Sequence, residues 1–212
     1  MDGFDQDRMV AEQIEKRGVS DPGVLTAMRE VPRRAFVPDH LSRGALGDHA
    51  LPIGFGQTIS QPFIVSKTAE LLMLRSEHSV LEVGGGCGYQ AAVLSKLVTK
   101  VVSLEIVQAL ADQARRHLEQ LGVENVEVHC VDGYNGWPAS APYDRICLAA
   151  SPLAIPDALV RQLKLGGRLV GPVGDKDQHL HIVDRHEAGC REQKSIGVRF
   201  VPMTGRATLK SE

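Results

Sequence analysis

Apolar and polar residues follow two different rhythms along the chain, and the rhythm changes near residue 62. Before that point, apolar positions three to four residues apart predict a helix over residues 5–18 and another over 21–30. Asp21 is well placed to cap the second helix. The stretch from Pro32 to residue 56 is rich in proline and glycine, and we predict that it is mostly irregular.

Beyond residue 62 the pattern alternates between helical and strand periodicity. We predict helices over 62–74, 89–97, 108–122 and 156–167, and strands over 79–84, 100–105, 126–132, 144–150 and 168–174. Strands that alternate with helices pair in parallel through right-handed crossovers, which predicts an α/β fold with a doubly wound, mostly parallel sheet. The last part, from His179 to Gly205, alternates around Gly189 as an antiparallel hairpin at a sheet edge would.

The chain of 212 residues is long enough to bury a substantial core, and we expect a single domain over 1–212. Within it, residues 1–61 would form a helical and irregular cap that ends in a loop. Residues 62–212 would form the α/β core.

Composition narrows the classes of partner. Hydrophobic residues make up 43% and charged residues 24%, and the net charge of −2 argues against a broad phosphate-binding surface, so we expect no nucleic-acid partner. No window reaches the roughly 18 apolar residues of a membrane span, and the first residues lack a signal-peptide pattern. We therefore expect a cytoplasmic monomer that contacts no membrane.

The four cysteines indicate reduced thiols rather than a metal site. They are Cys87, Cys130, Cys147 and Cys190. None belongs to a CxxC pair or has histidine or cysteine at zinc-ligand spacing, so we expect no metal.

A glycine-rich turn lies between a predicted strand and a predicted helix. Gly84, Gly86 and Gly88 would let a ligand approach bare backbone there, although a tight turn without any ligand remains an alternative. A dinucleotide fingerprint requires a third glycine at the position of Tyr89. Glu82, two positions before the turn, suits a ligand with a cationic amine and a sulfonium better than a pyrophosphate.

Two further acidic residues follow the next strands along the chain. Glu105 could accept both hydroxyls of a ribose, and Asp132 an adenine amino group, while Gly133 leaves space for the ring. Each acid alone is as often a helix cap or a solvated residue. Together at neighbouring strand ends, they favour S-adenosylmethionine as the ligand.

At this point a family resemblance becomes specific. It rests on the segments IGFGQTISQPFIVSKTAELL, VLEVGGGCGYQAAVL, YDRICLAASPLAIPDALVRQLKLGGRLVGPVG and VRFVPMTG. From about residue 9 to 205 the chain resembles the protein-L-isoaspartate O-methyltransferase family. GQTISQP is the most specific of these motifs, since methyltransferases in general share only the glycine turn. The resemblance implies a Rossmann-like class I methyltransferase fold with S-adenosylmethionine as cofactor.

The resemblance also implies an activity and an active-site residue. The family methylates the free carboxylate of L-isoaspartyl residues in damaged proteins and peptides, which initiates repair through a succinimide. Ser60 corresponds to the active-site serine, in a loop that covers the cofactor and meets the peptide. The alternative is that Ser60 only caps the helix that begins near Pro62.

The chemistry of such a transfer is consistent with a serine hydroxyl. The acceptor carboxylate is already ionised near neutral pH, so it needs orientation and desolvation rather than a strong base. Gln57 and Thr58 could supply further donors and Ile59 could exclude water, but packing or turn formation explains these three residues equally well. Residues 198–203 could lie near the peptide as a strand, or serve only as an ordinary sheet strand.

Other readings of the chain remain. LAASP lacks the acidic or amide residue followed by Pro-Pro-aromatic that methylation of nucleic-acid bases usually needs. A non-catalytic module that binds S-adenosylmethionine is also possible. The chain departs from the family pattern at Gly85 and Cys87, where both residues are small and cofactor binding should survive. Departures at residues 148–151 and at Thr68-Ala69 could alter acceptor recognition, as in a specialised paralogue that methylates an aspartyl carboxylate of one particular peptide.

Overall fold

The computed structural model describes residues 2–208, with side chains from residue 6 onward. Met1 and residues 209–212, the ends of the predicted domain, lie outside the described residues. The helices are α1 (Asp2–Gln13), α2 (Pro22–Glu30), α3 (Pro62–Leu71), α4 (Tyr89–Ser95), α5 (Gln108–Gln120) and α6 (Asp157–Arg161). The strands are β1 (Leu51–Gly54), β2 (Gln57–Ile59), β3 (Ser79–Val83), β4 (Lys100–Glu105), β5 (Val126–Cys130), β6 (Tyr143–Leu148), β7 (Leu163–Val173), β8 (Gln178–His186) and β9 (Gly189–Val198).

The main sheet has the strand order β5-β4-β3-β6-β7-β8-β9. Pairing is parallel from β5 to β7, and β8 and β9 add an antiparallel hairpin at one edge. This confirms the predicted α/β class with a mostly parallel sheet and a terminal hairpin. The order changes direction at β3, which is where open α/β sheets form a crevice for ligands.

The core lies on both faces of this sheet because the central strands are buried on both sides. Val80 and Val101 pack with α1 to α5 on one face. Leu81 and Val102 pack with α6 and the turns after β5 on the other face. Near-continuous apolar runs therefore mark the central strands in the sequence.

The amino-terminal helices largely follow the prediction. Asp21 caps α2, since its carboxylate accepts a hydrogen bond from the amide of Val24 at 3.0 Å. The helix predicted over 5–18 becomes a 3₁₀ turn at Glu15–Arg17, and Gly18 ends it in the left-handed region at φ 89°. Tightening of the last turn in this way satisfies carbonyl groups that an α-helix would leave without partners.

The prediction that the chain is mostly irregular up to residue 56, and that a loop follows, was wrong at the end of that stretch. Residues Leu51–Gly54 and Gln57–Ile59 form an antiparallel hairpin. Its turn needs left-handed backbone at three successive positions, Gly54, Phe55 and Gly56, with φ of 93°, 54° and 70°. Gln57–Ile59 are therefore a strand of a hairpin instead of part of a loop, with Gly56 in its turn and Ser60 directly after it.

The helix predicted over 156–167 was wrong in its second half. The α-helix ends at Arg161, and β7 begins at Leu163. Leu163 lies opposite Tyr143, and the register then shifts before Arg168 pairs with Arg145. Gly166 adopts the left-handed region at φ 76° in this bulge, and a Cβ atom on Gly167 would lie 2.8 Å from the carbonyl oxygen of Lys164.

Three predicted elements end two or three residues earlier in the structure than the sequence pattern indicates. The strands β5 and β6 end at Cys130 and Leu148, two residues earlier than expected. The helix α3 ends at Leu71, since Met73 adopts φ 52°. Two guanidinium groups cover its last carbonyls: Arg168 donates to Leu71 O at 2.9 Å and Arg145 to Leu72 O at 2.6 Å.

No helix between residues 2 and 208 combines the length and the apolar character that crossing a membrane would require.

Candidate active site

The glycine turn joins β3 to α4 at the carboxyl edge of the sheet. Gly84, Gly86 and Gly88 have φ of 92°, 54° and 89°, which residues with a side chain rarely adopt. A Cβ atom on Gly85 would lie 2.2 Å from the hydroxyl oxygen of Ser103. A left-handed backbone at three of these glycines and a lack of space at Gly85 each disfavour a side chain, so the turn presents bare backbone.

Glu105, the last residue of β4, is bound to this turn. One carboxylate oxygen accepts a hydrogen bond from the amide of Gly86 at 2.7 Å, and the other from the amide of Val107 at 2.8 Å. Each carboxylate oxygen has a second acceptor position. Glu105 therefore holds the turn and retains capacity for a ligand.

Asp132 caps a 3₁₀ turn that begins at Gly133, since it accepts from the amide of Tyr134 at 3.0 Å. Its other carboxylate oxygen accepts from the amide of Arg206 at 2.8 Å. Capping of a helical turn, which the sequence analysis gave as the alternative role of such an acidic residue, is therefore present at Asp132. A Cβ atom on Gly133 would lie 2.5 Å from Cγ1 of Val83, so a larger residue does not fit there.

These strand ends line a narrow crevice. Its lining includes Gly84, Glu105, Asp132 and Gly133, with Gln57 reaching over from the hairpin. The crevice has a volume of about 40 Å³, enough for about one water molecule. As it stands, this crevice is narrower than a nucleoside.

Glu82 lies beneath the glycine turn rather than in the crevice. Its side chain is fully buried, one oxygen accepts from the hydroxyl of Ser103 at 2.5 Å, and Oε1 has no partner among the described residues. Burial raises the pKa of Glu82 to about 7, and the negative charge of Glu105 adds to the shift. The sequence predicted direct contact between Glu82 and a cationic amine. In the structure this carboxyl is buried beneath the glycine turn and does not line the crevice.

The β1–β2 hairpin packs directly on the glycine turn. The Cδ1 atom of Ile53 lies 3.3 Å from the position that a Cβ on Gly86 would take. Along β2 the side chains then diverge: Gln57 faces the crevice, Thr58 lines a wider cleft, and Ile59 is 3% exposed in the core. Core packing is therefore the role of Ile59 in this structure.

The wide cleft has a volume of about 1850 Å³ and lies beside the hairpin. Its lining includes Thr58, Ser60, Leu153 and the segment 199–203. Leu153 is 73% exposed, so the cleft has an apolar residue directed at solvent.

The segment 199–203 was predicted as part of a strand, and this was wrong beyond Val198, where β9 ends. Side chains and a loop hold it instead. The amide of Phe200 donates to the Gln178 side chain at 2.7 Å, and the amide of Ser151 donates to the carbonyl of Val201 at 2.9 Å. The wall of the cleft is therefore extended, and a single parallel bridge between Pro202 and Ser151 joins it to the chain just beyond β6.

Ser60 is not the cap of the following helix. The helix α3 begins at Pro62 with Gln61 at the N-cap position. The capping carboxylate belongs to Asp48, which accepts from the amide of Phe63 at 3.3 Å. This leaves Ser60 as a half-buried residue of the cleft wall.

Arg33 is a residue of this site that the sequence did not indicate. It is completely buried, and its guanidinium donates to the carbonyl of Ser60 at 2.7 Å. Burial lowers the pKa of Arg33. Arginines are mostly exposed, and nothing in the pattern around residue 33 marks this one as buried.

None of the four cysteines lines the crevice or the cleft. Cys87 and Cys147 are buried, Cys130 is half-buried and Cys190 is exposed. Within residues 2–208, no three side chains of histidine, cysteine, aspartate or glutamate come together as metal ligands would.

Comparison with known proteins identifies relatives over almost the whole chain. The family model described as Protein-L-isoaspartate(D-aspartate) O-methyltransferase (PCMT) matches residues 5–208. A Pelobacter propionicus protein named Protein-L-isoaspartate O-methyltransferase 2 is 52% identical over 200 residues, which cover 93% of this chain and 89% of that protein.

Solved structures agree with this result. One named protein-L-isoaspartate O-methyltransferase has a TM-score of 0.88 and 31% identity, with 95% of this chain and 67% of that chain covered. A Plasmodium falciparum structure that contains S-adenosyl-L-homocysteine has a TM-score of 0.82 over 94% of this chain and 98% of that chain. At 21% identity, this second likeness establishes the fold alone.

Proposed function

The chain belongs to the protein-L-isoaspartate(D-aspartate) O-methyltransferase family, and from this premise we propose how its residues perform the reaction. The enzyme transfers a methyl group from S-adenosylmethionine to the free carboxylate of L-isoaspartyl residues in damaged proteins and peptides. The observation that carries the proposal is the short strand β2 and the residue after it. Gln57 borders the crevice, and Thr58 and Ser60 border the wide cleft, so one segment can meet both reactants.

The crevice is suited to the cofactor. The left-handed glycines and the space at Gly133 leave bare backbone, as a close-fitting nucleoside requires. Glu105 would accept the ribose hydroxyls with its remaining lone pairs, and Asp132 the adenine amino group. The buried Glu82 lies beneath the turn, and its carboxyl would place negative charge under the cationic part of the ligand when it is ionised, which its raised pKa of about 7 restricts to neutral and alkaline pH. When bound, S-adenosylmethionine supplies a methyl group on a positively charged sulfur.

The wide cleft would hold the damaged peptide with its carboxylate at Ser60. The acceptor is ionised near neutral pH, so no general base is needed. The Ser60 hydroxyl would donate a hydrogen bond to one carboxylate oxygen and leave the other free to attack. Holding the reacting atoms in line can contribute several kcal/mol to such a transfer.

The cleft wall favours an extended and flexible peptide. Gln178 and Ser151 fix the segment 199–203, so this wall is already ordered before a peptide arrives. Leu153, exposed on the same side, offers apolar contact to a residue that flanks the isoaspartate.

The product explains why the reaction leads to repair. The methyl ester makes the carboxyl carbon susceptible to attack by the next backbone nitrogen, which releases methanol and closes a succinimide. Hydrolysis of this ring gives some normal aspartate. The enzyme therefore needs to catalyse only the methylation and then release an uncharged ester.

Several further expectations stay predictions. They are the single domain over 1–212, the monomeric state, the cytoplasmic location and the absence of a nucleic-acid partner. The net charge of −2 supports the last of these, and the buried thiols of Cys87 and Cys147 are consistent with a reducing compartment.

A pair of peptides tests the proposed function. They share one sequence and differ only in whether the central residue is L-isoaspartate or L-aspartate, and they are incubated with S-adenosylmethionine labelled in its methyl group. We expect base-labile label on the isoaspartyl peptide and none on the aspartyl peptide. Equal labelling of both would indicate the aspartyl-directed paralogue, and no labelling despite bound cofactor would indicate the non-catalytic binding module.

A further inference from the structure

The guanidinium of Arg33 connects three separate pieces of backbone. Nη1 donates to the carbonyl of Ser60 at 2.7 Å, Nε to the carbonyl of Ala45 at 2.7 Å and Nη2 to the carbonyl of His49 at 3.2 Å. The side chain is completely buried. A buried charge is costly unless its surroundings compensate it, and these three bonds go to carbonyl oxygens.

Arg33 also contacts the cofactor half of the molecule. Its guanidinium carbon lies 5.2 Å from the centre of the Tyr89 ring, in the range of a cation–π contact. Tyr89 is the first residue of α4, directly after the glycine turn, and it is 1% exposed. One side chain thus touches both the backbone of Ser60 and the helix that follows the turn.

We propose that Arg33 is a positioning residue of the methyl transfer, which fixes the backbone at Ser60 so that its hydroxyl stays directed at the acceptor cleft. This inference rests on the proposed function. Arg33 would not touch the peptide or the cofactor, and it would act only through the place it gives to Ser60.

The geometry explains why an arginine occupies this position. Its planar group has five donors in a fixed fork, which can reach three carbonyls in different directions at once. A lysine keeps the charge but concentrates its donors at one point on a flexible chain. Replacing arginine by lysine therefore removes the fork without removing the charge.

A double-mutant cycle with Arg33→Lys and Ser60→Ala tests the inference. In the enzyme with Ser60, we expect Arg33→Lys to lower kcat for an isoaspartyl peptide by about 10-fold and to change KM and the Kd for S-adenosylhomocysteine less than about 3-fold. In the Ser60→Ala enzyme, the same change should lower kcat less than about 2-fold, because the hydroxyl to be positioned is already absent.

Two further variants keep the test decisive. Arg29→Lys is the matched control, since Arg29 lies on α2 with ion pairs to Asp7 and Glu15 and should leave kcat unchanged. Arg33→Gln places no charge at the buried position. It therefore replaces Arg33→Lys in the double-mutant cycle if Arg33→Lys does not fold.

Each outcome bears on the inference in a stated way. Equal effects on kcat with and without the Ser60 hydroxyl, or full activity of Arg33→Lys, would overturn the role of Arg33 and leave the proposed function intact. A wild-type enzyme that methylates no isoaspartyl peptide would overturn the proposed function, and the role of Arg33 with it.

Discussion

Asp48 and Gln61 are joined by two hydrogen bonds. The side-chain nitrogen of Gln61 donates to the carboxylate of Asp48 at 2.6 Å and to its carbonyl oxygen at 3.0 Å. The same carboxylate accepts from the amide of Phe63 and pairs with Arg17. An aspartate from a distant turn thus caps α3 immediately after Ser60, where a negative charge is favoured by the helix dipole.

Asp48→Ala should weaken both the fold and the reaction. The loss of a cap typically costs about 0.5 to 2 kcal/mol, and here Arg17 also loses its ion-pair partner, so we expect about 1 to 2 kcal/mol. Because the segment at Ser60 becomes less well fixed, kcat should fall roughly 3- to 10-fold. Urea unfolding and steady-state methylation of an isoaspartyl peptide measure the two effects.

Asp112→Ala is a suitable control, since Asp112 pairs with Arg115 on the exposed surface of α5. It should change the free energy of unfolding by less than about 0.5 kcal/mol. If Asp48→Ala and Asp112→Ala behaved alike, Asp48 would not be the anchor of α3.

Gly133→Ala should disturb the crevice by overpacking. The new methyl group would lie 2.5 Å from Cγ1 of Val83, which is a β-branched residue with little freedom to move. We expect a loss of about 1 to 3 kcal/mol in stability together with weaker binding of S-adenosylhomocysteine, measured by urea unfolding and calorimetry.

Gly197→Ala provides the comparison for this substitution. A Cβ atom on Gly197 meets nothing within 4 Å, so its stability and its affinity for S-adenosylhomocysteine should stay close to those of the wild type. Equal losses at both glycines would show that the crowding at Val83 is not the cause.

The buried carboxyl of Glu82 should make stability depend on pH. Its pKa is raised by burial from 4.5 to about 7, so between these values the folded protein holds a proton that the unfolded chain releases. Stability from this group is therefore present at low pH and is lost as the pH rises through the folded pKa.

Glu82→Gln removes this dependence because its side chain does not titrate. The free energy of unfolding of the variant minus that of the wild type should increase by about 2 to 3 kcal/mol between pH 5 and pH 8, at 1.36 kcal/mol for each pKa unit. Urea unfolding at both pH values measures the difference. A constant difference would mean that Glu82 has an ordinary pKa in the folded protein.

The strands of the central sheet could be predicted because each is marked by a local pattern of apolar and turn residues. The strand β4 runs over Lys100–Glu105 as predicted, since a buried parallel strand is an apolar run between turn residues. The glycine turn was recognised for the same reason, as Gly84, Gly86 and Gly88 each require a backbone that side chains disfavour.

The hairpin could not be predicted because tertiary contacts create it. Its first strand has four residues including Pro52, and its turn places Phe55 where asparagine or glycine is usual. Its position depends on Ile53 packing against Gly86, which the local sequence does not reveal. The helix predicted over 156–167 failed similarly, since its leucines fit a helical stripe and the pairing of Leu163 with Tyr143 decides otherwise.

The residues of the candidate site could likewise be predicted only in part. Residue types with a chemical signature, such as Glu105 and Ser60, were predicted as site residues from motif and resemblance, and their roles stay predictions. Arg33 and Asp48 were missed because they act on backbone groups of distant segments, from a stretch with no regular periodicity. For Glu82 the opposite holds. The motif marked it as a candidate, but the sequence did not reveal that its side chain is buried beneath the turn.

The kinetics of a Ser60→Ala variant test most directly whether a serine hydroxyl orients the acceptor carboxylate beside the cofactor. Hydrogen bonds to charged groups contribute about 1.5 to 3 kcal/mol, so kcat for an isoaspartyl peptide should fall about 10- to 100-fold. The Kd for S-adenosylhomocysteine should stay within about 2-fold of the wild type, because Ser60 lines the cleft and not the crevice. Unchanged kcat, or a loss of activity that follows only from weaker cofactor binding, would contradict the account.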